Sequence, residues 1–161
     1  MPGCAPPRES VVHGTPTHPS RSRMSLRDAR WIDLTTVEDD RGMLTALQAG
    51  ADVPFEIRRV FFLHNVRASR GGHAHRSSRQ LVVAAAGTFR VELSDARDSA
   101  IFEFTQPNRG LYIPPMTWVC LDNFSADAVC LVLTDTPFDA ADYLRDRRAF
   151  EAASRAATGL S

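Results

Sequence analysis

Short apolar segments separated by polar turns run through most of this chain, and they constrain its fold more than any other feature. Residues 88–93 alternate cleanly, with Phe89, Val91 and Leu93 on one face of a predicted half-buried strand. Residues 80–86 form a continuous apolar run that ends at Gly87. Further strand-like segments lie at residues 31–34, 42–47, 57–66, 101–104, 111–113, 118–121 and 128–133. Many short strands with turn signals at intervals of roughly 8–12 residues predict an all-β sandwich or barrel.

The two ends of the chain differ from this strand-rich centre. Residues 1–25 contain five prolines among Ser, Thr and Arg and show no apolar periodicity, so we predict a disordered N-terminal extension. Residues 140–153 are rich in Ala and place Leu144, Arg148 and Glu151 at helical spacing, which predicts a short C-terminal helix. We therefore expect a single domain over residues 26–155 and a flexible tail at residues 156–161.

The charge balance excludes several classes of partner. The 19 basic and 19 acidic residues give a net charge of zero, so no long-range field recruits nucleic acid or a membrane surface. Any anionic ligand must then be held by local arginines. No apolar run approaches the roughly 20 residues of a membrane span. The odd number of cysteines, three, and the absence of a secretory segment predict a cytoplasmic protein.

Two histidines, His73 and His75, are the strongest functional signal. Residues at i and i+2 of a strand project from the same face, about 6.5–7 Å apart along it. The pair therefore places two imidazoles in one pocket. A neutral imidazole accepts a proton near pH 7 or binds a divalent metal, so both acid–base and metal chemistry are open at this point.

The residues around the histidines resemble the cupin superfamily. His73-x-His75 followed by Gln80 and Gly87 is similar to its first motif, and residues 110–115 are similar to a degraded second motif. The resemblance implies a double-stranded β-helix, the jelly-roll barrel of the cupins.

Two ligands of the cupin metal site are absent from their expected positions. Gln80 stands where that family has a carboxylate, and Val119-Cys120 occupies the region of a further histidine. Gln offers only a neutral carbonyl, which is a weak ligand for a divalent cation. We therefore predict neither a metal nor another cofactor, with the Cys120 thiolate as the remaining candidate donor.

Over residues 30–150 the chain resembles a more specific group, the sugar 3,4-ketoisomerases of the WxcM-like family. The segments that carry this resemblance are residues 40–42, 59–62, 70–75, 110–113, 122–125 and 139–145. The resemblance implies a homodimer that exchanges N-terminal strands. It also implies a metal-free isomerisation of dTDP-4-keto-6-deoxyglucose to the 3-keto sugar for deoxysugar biosynthesis, and thus for a surface polysaccharide or an antibiotic.

The implied reaction suits the histidine pair. The hydrogen on carbon 3 is acidic because it lies next to the carbon 4 ketone, so a base can remove it and leave an enediolate. We expect one of His73 and His75 to abstract this proton and the other to stabilise or reprotonate the enediolate. The sequence leaves open which histidine has which role.

Six further residues are candidates for substrate binding. The resemblance points to Arg41, Arg59 and Arg70 for the diphosphate, which arginine binds bidentately. If N-terminal strands exchange, Arg41 reaches the partner subunit's site. The other three candidates, each of which also suits a purely structural role, are Gln80, Tyr112 and Trp118. Tyr143 is expected to dock the C-terminal helix.

The chain also departs from the family pattern. Tyrosines are common in the family where Phe61 and Phe62 stand, and a Trp-His pair is common where this chain has Trp118-Val119. These differences leave the proton-delivery step and the configuration at carbon 4 open. Two other classes therefore stay in play, a metal-dependent cupin (dioxygenase or isomerase) that uses His73, His75 and Cys120, and a non-enzymatic sugar-nucleotide binding cupin.

Overall fold

Two five-stranded antiparallel sheets form the body of the protein. The computed structural model describes residues 26–158. The strands are β1 (Arg30–Asp33), β2 (Thr36–Asp39), β3 (Gly42–Thr45), β4 (Arg59–His64), β5 (Arg70–His75), β6 (Gln80–Ala86), β7 (Phe89–Ser94), β8 (Ser99–Phe104), β9 (Arg109–Ile113), β10 (Trp118–Asp122), β11 (Val129–Thr134) and β12 (Tyr143–Leu144). Short 3-10 turns lie at Leu26–Asp28 and Ala140–Asp142, and helix α1 spans Arg147–Thr158.

The first sheet has the strand order β1-β9-β6-β11-β4 and the second has the order β12-β5-β10-β7-β8. Their inner faces pack together through a shared core, to which Val82 and Val132 contribute from the first sheet and Val91 and Leu121 from the second. Burial of such apolar side chains is the main force that holds the two sheets together. From β4 to β12, consecutive strands pass from one sheet to the other except for the β7–β8 hairpin, which is the arrangement of a jelly roll.

Each sheet is also covered on its outer face. Val53 and Phe55, from the segment between β3 and β4, pack on Leu81 and Tyr112 at the outer face of the first sheet. On the second sheet, Phe150 of α1 packs on Trp118, with ring centroids 5.4 Å apart. The central strands are therefore buried on both faces, which explains why β6 reads as a continuous apolar run.

The hairpin formed by β2 and β3 lies outside both sheets. Within residues 26–158, its two strands pair only with each other, from Thr36↔Thr45 to Asp39↔Gly42. Val37, Met43 and Leu44 of this hairpin are exposed. Three exposed apolar side chains on one small hairpin are characteristic of a contact surface rather than of a solvated turn.

The all-β class predicted from the sequence is confirmed, with one correction to its geometry: the sheets face each other as a sandwich and do not close into a barrel. The prediction of a helix over residues 140–153 is wrong in its first half. There, Tyr143 and Leu144 instead pair with His75 and Ala74 of β5, so tertiary contacts override the helical propensity of the Ala-rich segment.

The ends of the predicted domain can be compared only in part. Helix α1 continues past residue 155 to Thr158, and the predicted N-terminal extension at residues 1–25 lies outside the described residues, as do residues 159–161. Across residues 26–158, no helix combines the length and the apolar character that spanning a membrane requires.

Candidate active site

The two histidines lie at the end of β5, where a β-bulge sets their direction. Val119 of β10 pairs with His73, whereas the next residue, Cys120, pairs with Gly71, so Gly72 is an extra residue in β5. Gly71 has a φ of +83°, and a Cβ atom there would overlap the carbonyl oxygen of Val119. Only glycine fits this close approach, so the bulge that orients His73 depends on Gly71.

As the two-residue spacing predicted, His73 and His75 share one face of the strand. Their ring centroids are 5.1 Å apart, and the rings meet edge to face at 81°. His75 is buried, with 6% of its surface exposed, whereas His73 is half-buried. The two imidazoles are therefore close enough to act on adjacent atoms of one small molecule.

Both ring nitrogens of His75 have hydrogen-bond partners. Nδ1 lies 2.9 Å from Oδ2 of Asp142, and Nε2 lies 3.0 Å from Nε2 of Gln80. Gln80 is also buried, at the first position of β6. Together, Asp142 and Gln80 fix the plane of the imidazole between the two sheets.

A set of donors converges on the Asp142 carboxylate. Oδ1 accepts from the backbone N–H of Ser77 at 2.8 Å and from its hydroxyl at 2.7 Å, and Oδ2 accepts from the Ser78 hydroxyl at 2.8 Å. Burial by itself raises the pKa of Asp142, but the hydrogen bonds from Ser77, Ser78 and His75 outweigh it and hold that pKa well below its usual range. Asp142 is therefore ionised although it is buried.

The pKa values of the two histidines are both lowered. Burial and the neighbouring His75 lower the pKa of His73 to about 4, and the Gly71 backbone offsets only part of this effect. Burial also lowers the pKa of His75, while the hydrogen bond and charge of Asp142 act in the opposite direction. At neutral pH, both imidazoles are uncharged and able to accept a proton.

Aromatic rings and two arginines surround the pair. The Tyr143 ring lies 4.9 Å from the His73 ring and 4.3 Å from the His75 ring, measured between centroids. Arg145 stacks on Tyr143, with its guanidinium 4.5 Å from the ring centroid. The positive charges of Arg145 and Arg59 both lower the pKa of His75, which places two cations within electrostatic range of it.

Arg59 is the one predicted diphosphate ligand that the structure brings to the histidines. Its guanidinium lies over the rings of Phe61 and Phe138, at 4.5 and 5.1 Å from their centroids. Phe61 packs against the inner core, whereas the adjacent Phe62 points outward and is exposed. Thus only Phe61 of the two phenylalanines that replace family tyrosines faces the inside of the sandwich.

The other two predicted arginines lie elsewhere on the chain. Arg41 is at the turn of the β2–β3 hairpin, where it forms an exposed ion pair with Asp39. Arg70 is exposed at the start of β5, the end opposite to His75, and pairs in register with Leu121. Within one chain, neither arginine is brought to the histidine pair.

Tyr112 and Trp118, two of the predicted substrate-binding residues, each lie on the outer face of their sheet, away from the histidine pair. Tyr112 packs with Phe55, at 6.5 Å between ring centroids, in the outer cluster of the first sheet. Trp118 packs against Phe150 of α1. The expected role of Tyr143 is wrong: Trp118 and Phe150 dock the helix, while Tyr143 contacts the histidines.

The predicted alternative of a metal site lacks its third donor. Cys120 clusters with Ala74 and Trp118, which face away from the inner core, while Val119 faces into it. Among the described residues 26–158, no group of three or more His, Cys, Asp or Glu side chains is arranged to hold a metal ion. The donor set His73, His75 and Cys120 is therefore not assembled, and both nitrogens of His75 are already engaged.

The sequence interpretation missed the functional contacts of Asp142, Ser77, Ser78 and Arg145. A signal was present, because residues 139–145 carry part of the family resemblance and Ser77 and Ser78 closely follow His75. The helical assignment of residues 140–153 concealed it, since a helix there implies that Asp142 is a solvated surface residue.

Comparisons with known proteins identify one family over most of the chain. The family model described as FdtA, WxcM-like, C-terminal, matches residues 27–155. A TDP-4-oxo-6-deoxy-alpha-D-glucose-3,4-oxoisomerase from Aneurinibacillus thermoaerophilus is 34% identical over 116 residues, which cover 71% of this chain and 84% of that protein.

Two solved structures are similar over most of the chain. A 3,4-ketoisomerase from Helicobacter canadensis has a TM-score of 0.77 at 30% identity and covers 80% of this chain and 98% of its own. The sugar 3,4-ketoisomerase QdtA from Thermoanaerobacterium thermosaccharolyticum, in complex with TDP, has a TM-score of 0.79 at 28% identity and covers 81% of this chain and 97% of its own.

Proposed function

The chain belongs to the WxcM-like family of sugar 3,4-ketoisomerases, and we propose that it moves the ketone of a TDP-linked 4-keto-6-deoxyhexose from carbon 4 to carbon 3 by acid–base catalysis at His73 and His75. The observation that carries the proposal is the pair of neutral imidazoles 5.1 Å apart, of which His75 is buried and hydrogen-bonded on both nitrogens, with Arg59 and Arg145 nearby. The two imidazoles suit an isomerase, because the reaction transfers protons and leaves the oxidation state of the sugar as a whole unchanged.

We assign abstraction of the carbon 3 proton to Nε2 of His75. As the proton leaves, the C3–H electron pair forms a C3=C4 double bond and the carbonyl electrons move to oxygen 4. His75 suits this step because the Asp142 carboxylate on Nδ1 stabilises the imidazolium that forms. The Gln80 amide must release Nε2 when substrate enters, which a rotation of its side chain accomplishes.

The second half of the reaction places a proton on carbon 4. The His75 imidazolium returns its proton there, while the hydroxyl proton of oxygen 3 passes to oxygen 4, so that the ketone appears at carbon 3. His73, neutral because its pKa lies at about 4, suits the transfer between the oxygens. A neutral imidazole both donates and accepts a hydrogen bond.

The supporting cations suit an anionic substrate and an anionic intermediate. Arg59 is held between the rings of Phe61 and Phe138, so its guanidinium is oriented before a ligand binds. Such pre-organisation favours bidentate contact with a phosphate. Arg70, at the other end of β5, fits a more distant part of the nucleotide only if the ligand spans the strand.

The test is incubation of the purified protein with dTDP-4-keto-6-deoxyglucose in deuterated water, followed by proton NMR. We expect conversion to a 3-keto product, with deuterium at carbon 4 in those molecules whose proton on His75 exchanges with solvent before it is returned, and a turnover number reduced by about 10²- to 10⁴-fold in His75→Asn. His64→Asn is the matched control, since His64 is an exposed histidine on β4 that contacts Phe62 rather than the pair. Near-native turnover of His75→Asn would refute the assignment of His75 as the base.

We also propose that the protein is a homodimer in which the β2–β3 hairpin lies on a second copy of the chain. The hairpin exposes Val37 and Leu44, which are cross-strand partners, and β4 at the edge of the first sheet exposes Val60 and Phe62. Mutual burial of these two apolar surfaces is favourable. The exchange carries Arg41, at the tip of the hairpin, to the partner's site.

Light scattering after size exclusion tests the dimer directly, and the expected mass is that of two chains. The Val37→Asp/Leu44→Asp variant is expected to be a monomer, while Ile101→Asp, which places one such charge on an exposed residue of β8, retains the dimer. Arg41→Ala is expected to raise KM more than it lowers kcat. A monomeric wild-type protein rules this arrangement out.

A further inference from the structure

We infer that Asp142 is a positioning residue that fixes the tautomer of His75, keeping a proton on Nδ1 and a lone pair on Nε2. The inference rests on the proposed role of His75 as the base. It adds Asp142, a residue of the segment 140–153 that the sequence predicted to be the C-terminal helix. Three sets of contacts carry it: those of the carboxylate, those of Gln80, and those of the backbone around Asp142.

The carboxylate of Asp142 is surrounded by donors. Oδ1 receives two hydrogen bonds from Ser77, and Oδ2 receives one from the Ser78 hydroxyl and faces Nδ1 of His75 at 2.9 Å. An ionised carboxylate only accepts hydrogen bonds. Nδ1 of His75 must therefore carry a hydrogen, and in a neutral imidazole this leaves the lone pair on Nε2.

The contact on the other side of the ring indicates the same tautomer. The amide nitrogen of Gln80 faces Nε2 of His75 at 3.0 Å, and an amide nitrogen only donates. Nε2 must then accept. Asp142 and Gln80 thus specify the same form of the base from opposite edges of the ring, and this form is the one that can take a proton from carbon 3.

The backbone makes this arrangement rigid. The carbonyl of Asp142 accepts from the N–H of Arg76 at 2.8 Å, and the next residue, Tyr143, pairs with His75 across β12 and β5. The N-cap Asp139 closes the 3-10 turn that ends at Asp142. Because the segment is tied to β5 on both sides of His75, the carboxylate cannot leave the imidazole without breaking several hydrogen bonds.

Asp142→Asn is the decisive variant because Asn has the shape of Asp but carries an NH₂ donor in place of one carboxylate oxygen. The backbone N–H of Ser77 is a fixed donor, so the new amide oxygen remains at the Oδ1 position and the new NH₂ group faces Nδ1 of His75. Nδ1 must then accept, which moves the proton to Nε2 and removes the base. Asp139→Asn is the matched control: it makes the same substitution three residues away, at a cap position where Asn serves as well as Asp.

We expect kcat of Asp142→Asn to fall by about 10²- to 10⁴-fold, as when the orienting carboxylate of a catalytic histidine is removed, with KM changed by less than about threefold. Asp139→Asn is expected to retain kcat. Long-range ¹H–¹⁵N NMR of ¹⁵N-histidine-labelled protein reports the tautomer without substrate. It is expected to show hydrogen on Nδ1 of His75 in the wild type and on Nε2 in Asp142→Asn.

The outcomes separate this inference from the proposed function. A wild-type His75 with its hydrogen on Nε2, or an active Asp142→Asn with unchanged kcat, overturns the positioning role. If the wild type shows the expected tautomer but forms no 3-keto product, the positioning role stands and the isomerase proposal fails. If Asp142→Asn does not fold, the wild-type spectrum alone still decides the tautomer.

Discussion

Acidification is expected to destabilise this protein through His73, and the size of the effect follows from its pKa. The folded protein lowers that pKa from 6.5 to about 4, chiefly by burial. Between these two values, the unfolded chain binds a proton that the folded protein does not, so the free energy of unfolding falls as the pH falls. The stabilisation is complete above pH 6.5 and is lost between pH 6.5 and about 4.

The expected magnitude follows from linkage. At 1.36 kcal/mol per pKa unit, the full difference corresponds to about 3 kcal/mol, of which about 2 kcal/mol is lost by pH 5. The assay is urea unfolding at pH 8 and pH 5 for the wild type and His73→Asn. The wild type is expected to lose about 2 kcal/mol more than the variant between the two pH values.

The control and the refuting result are equally direct. His64→Asn retains His73 and is expected to lose as much stability as the wild type on acidification, although it also lacks one histidine. Equal losses in the wild type and His73→Asn would show that burial does not disfavour the charged form of His73. The physical argument for a neutral His73 in the mechanism would then fail as well.

Two further predictions concern groups around the pair. Gly71→Ala is expected to lower the free energy of unfolding by about 1–3 kcal/mol and to reduce kcat, because its Cβ would meet the Val119 carbonyl. Gly50 has a similar φ of +78° but open space around it, so Gly50→Ala is expected to retain activity. Thermal unfolding and turnover of both variants check this, and equal effects would show that the bulge does not depend on Gly71. The positive charge of Arg145 lowers the pKa of His75, so Arg145→Gln is expected to raise that pKa and to move the acid limb of the pH profile of kcat/KM to higher pH. An unchanged acid limb would show that Arg145 does not act on His75.

Sequence periodicity was sufficient for the sheet-forming segments and for the shared face of the histidines. Alternation with a period of two is a property of a single strand, so His73 and His75 had to project together once β5 formed. The missing metal ligands were likewise visible in the sequence, as Gln80 and Val119. The histidine spacing depends on residues that are close in the chain, and the two substituted positions follow from the family resemblance, which is why no tertiary information was needed.

The faces of Tyr112 and Trp118 required the structure. Strands β9 and β10 are buried along almost their whole length, because Val53 and Phe55 cover the outer face of the first sheet and α1 covers the outer face of the second. A strand that is buried on both faces has no polar–apolar alternation to show which residues point inward. Either assignment of these two aromatic residues was compatible with the sequence.

The sequence by itself therefore determined the class of fold, the family and the pair of imidazoles. Only the tertiary structure decided what orients His75, because His75 and Asp142 are 67 residues apart and meet through the pairing of β12 with β5. The Ala-rich composition of residues 140–153 favours a helix locally, and the hydrogen bonds of Asp142 with Ser77, Ser78 and His75 outweigh that preference. Long-range hydrogen bonds of this kind leave no periodic trace in a sequence, and here they position the catalytic machinery that we propose.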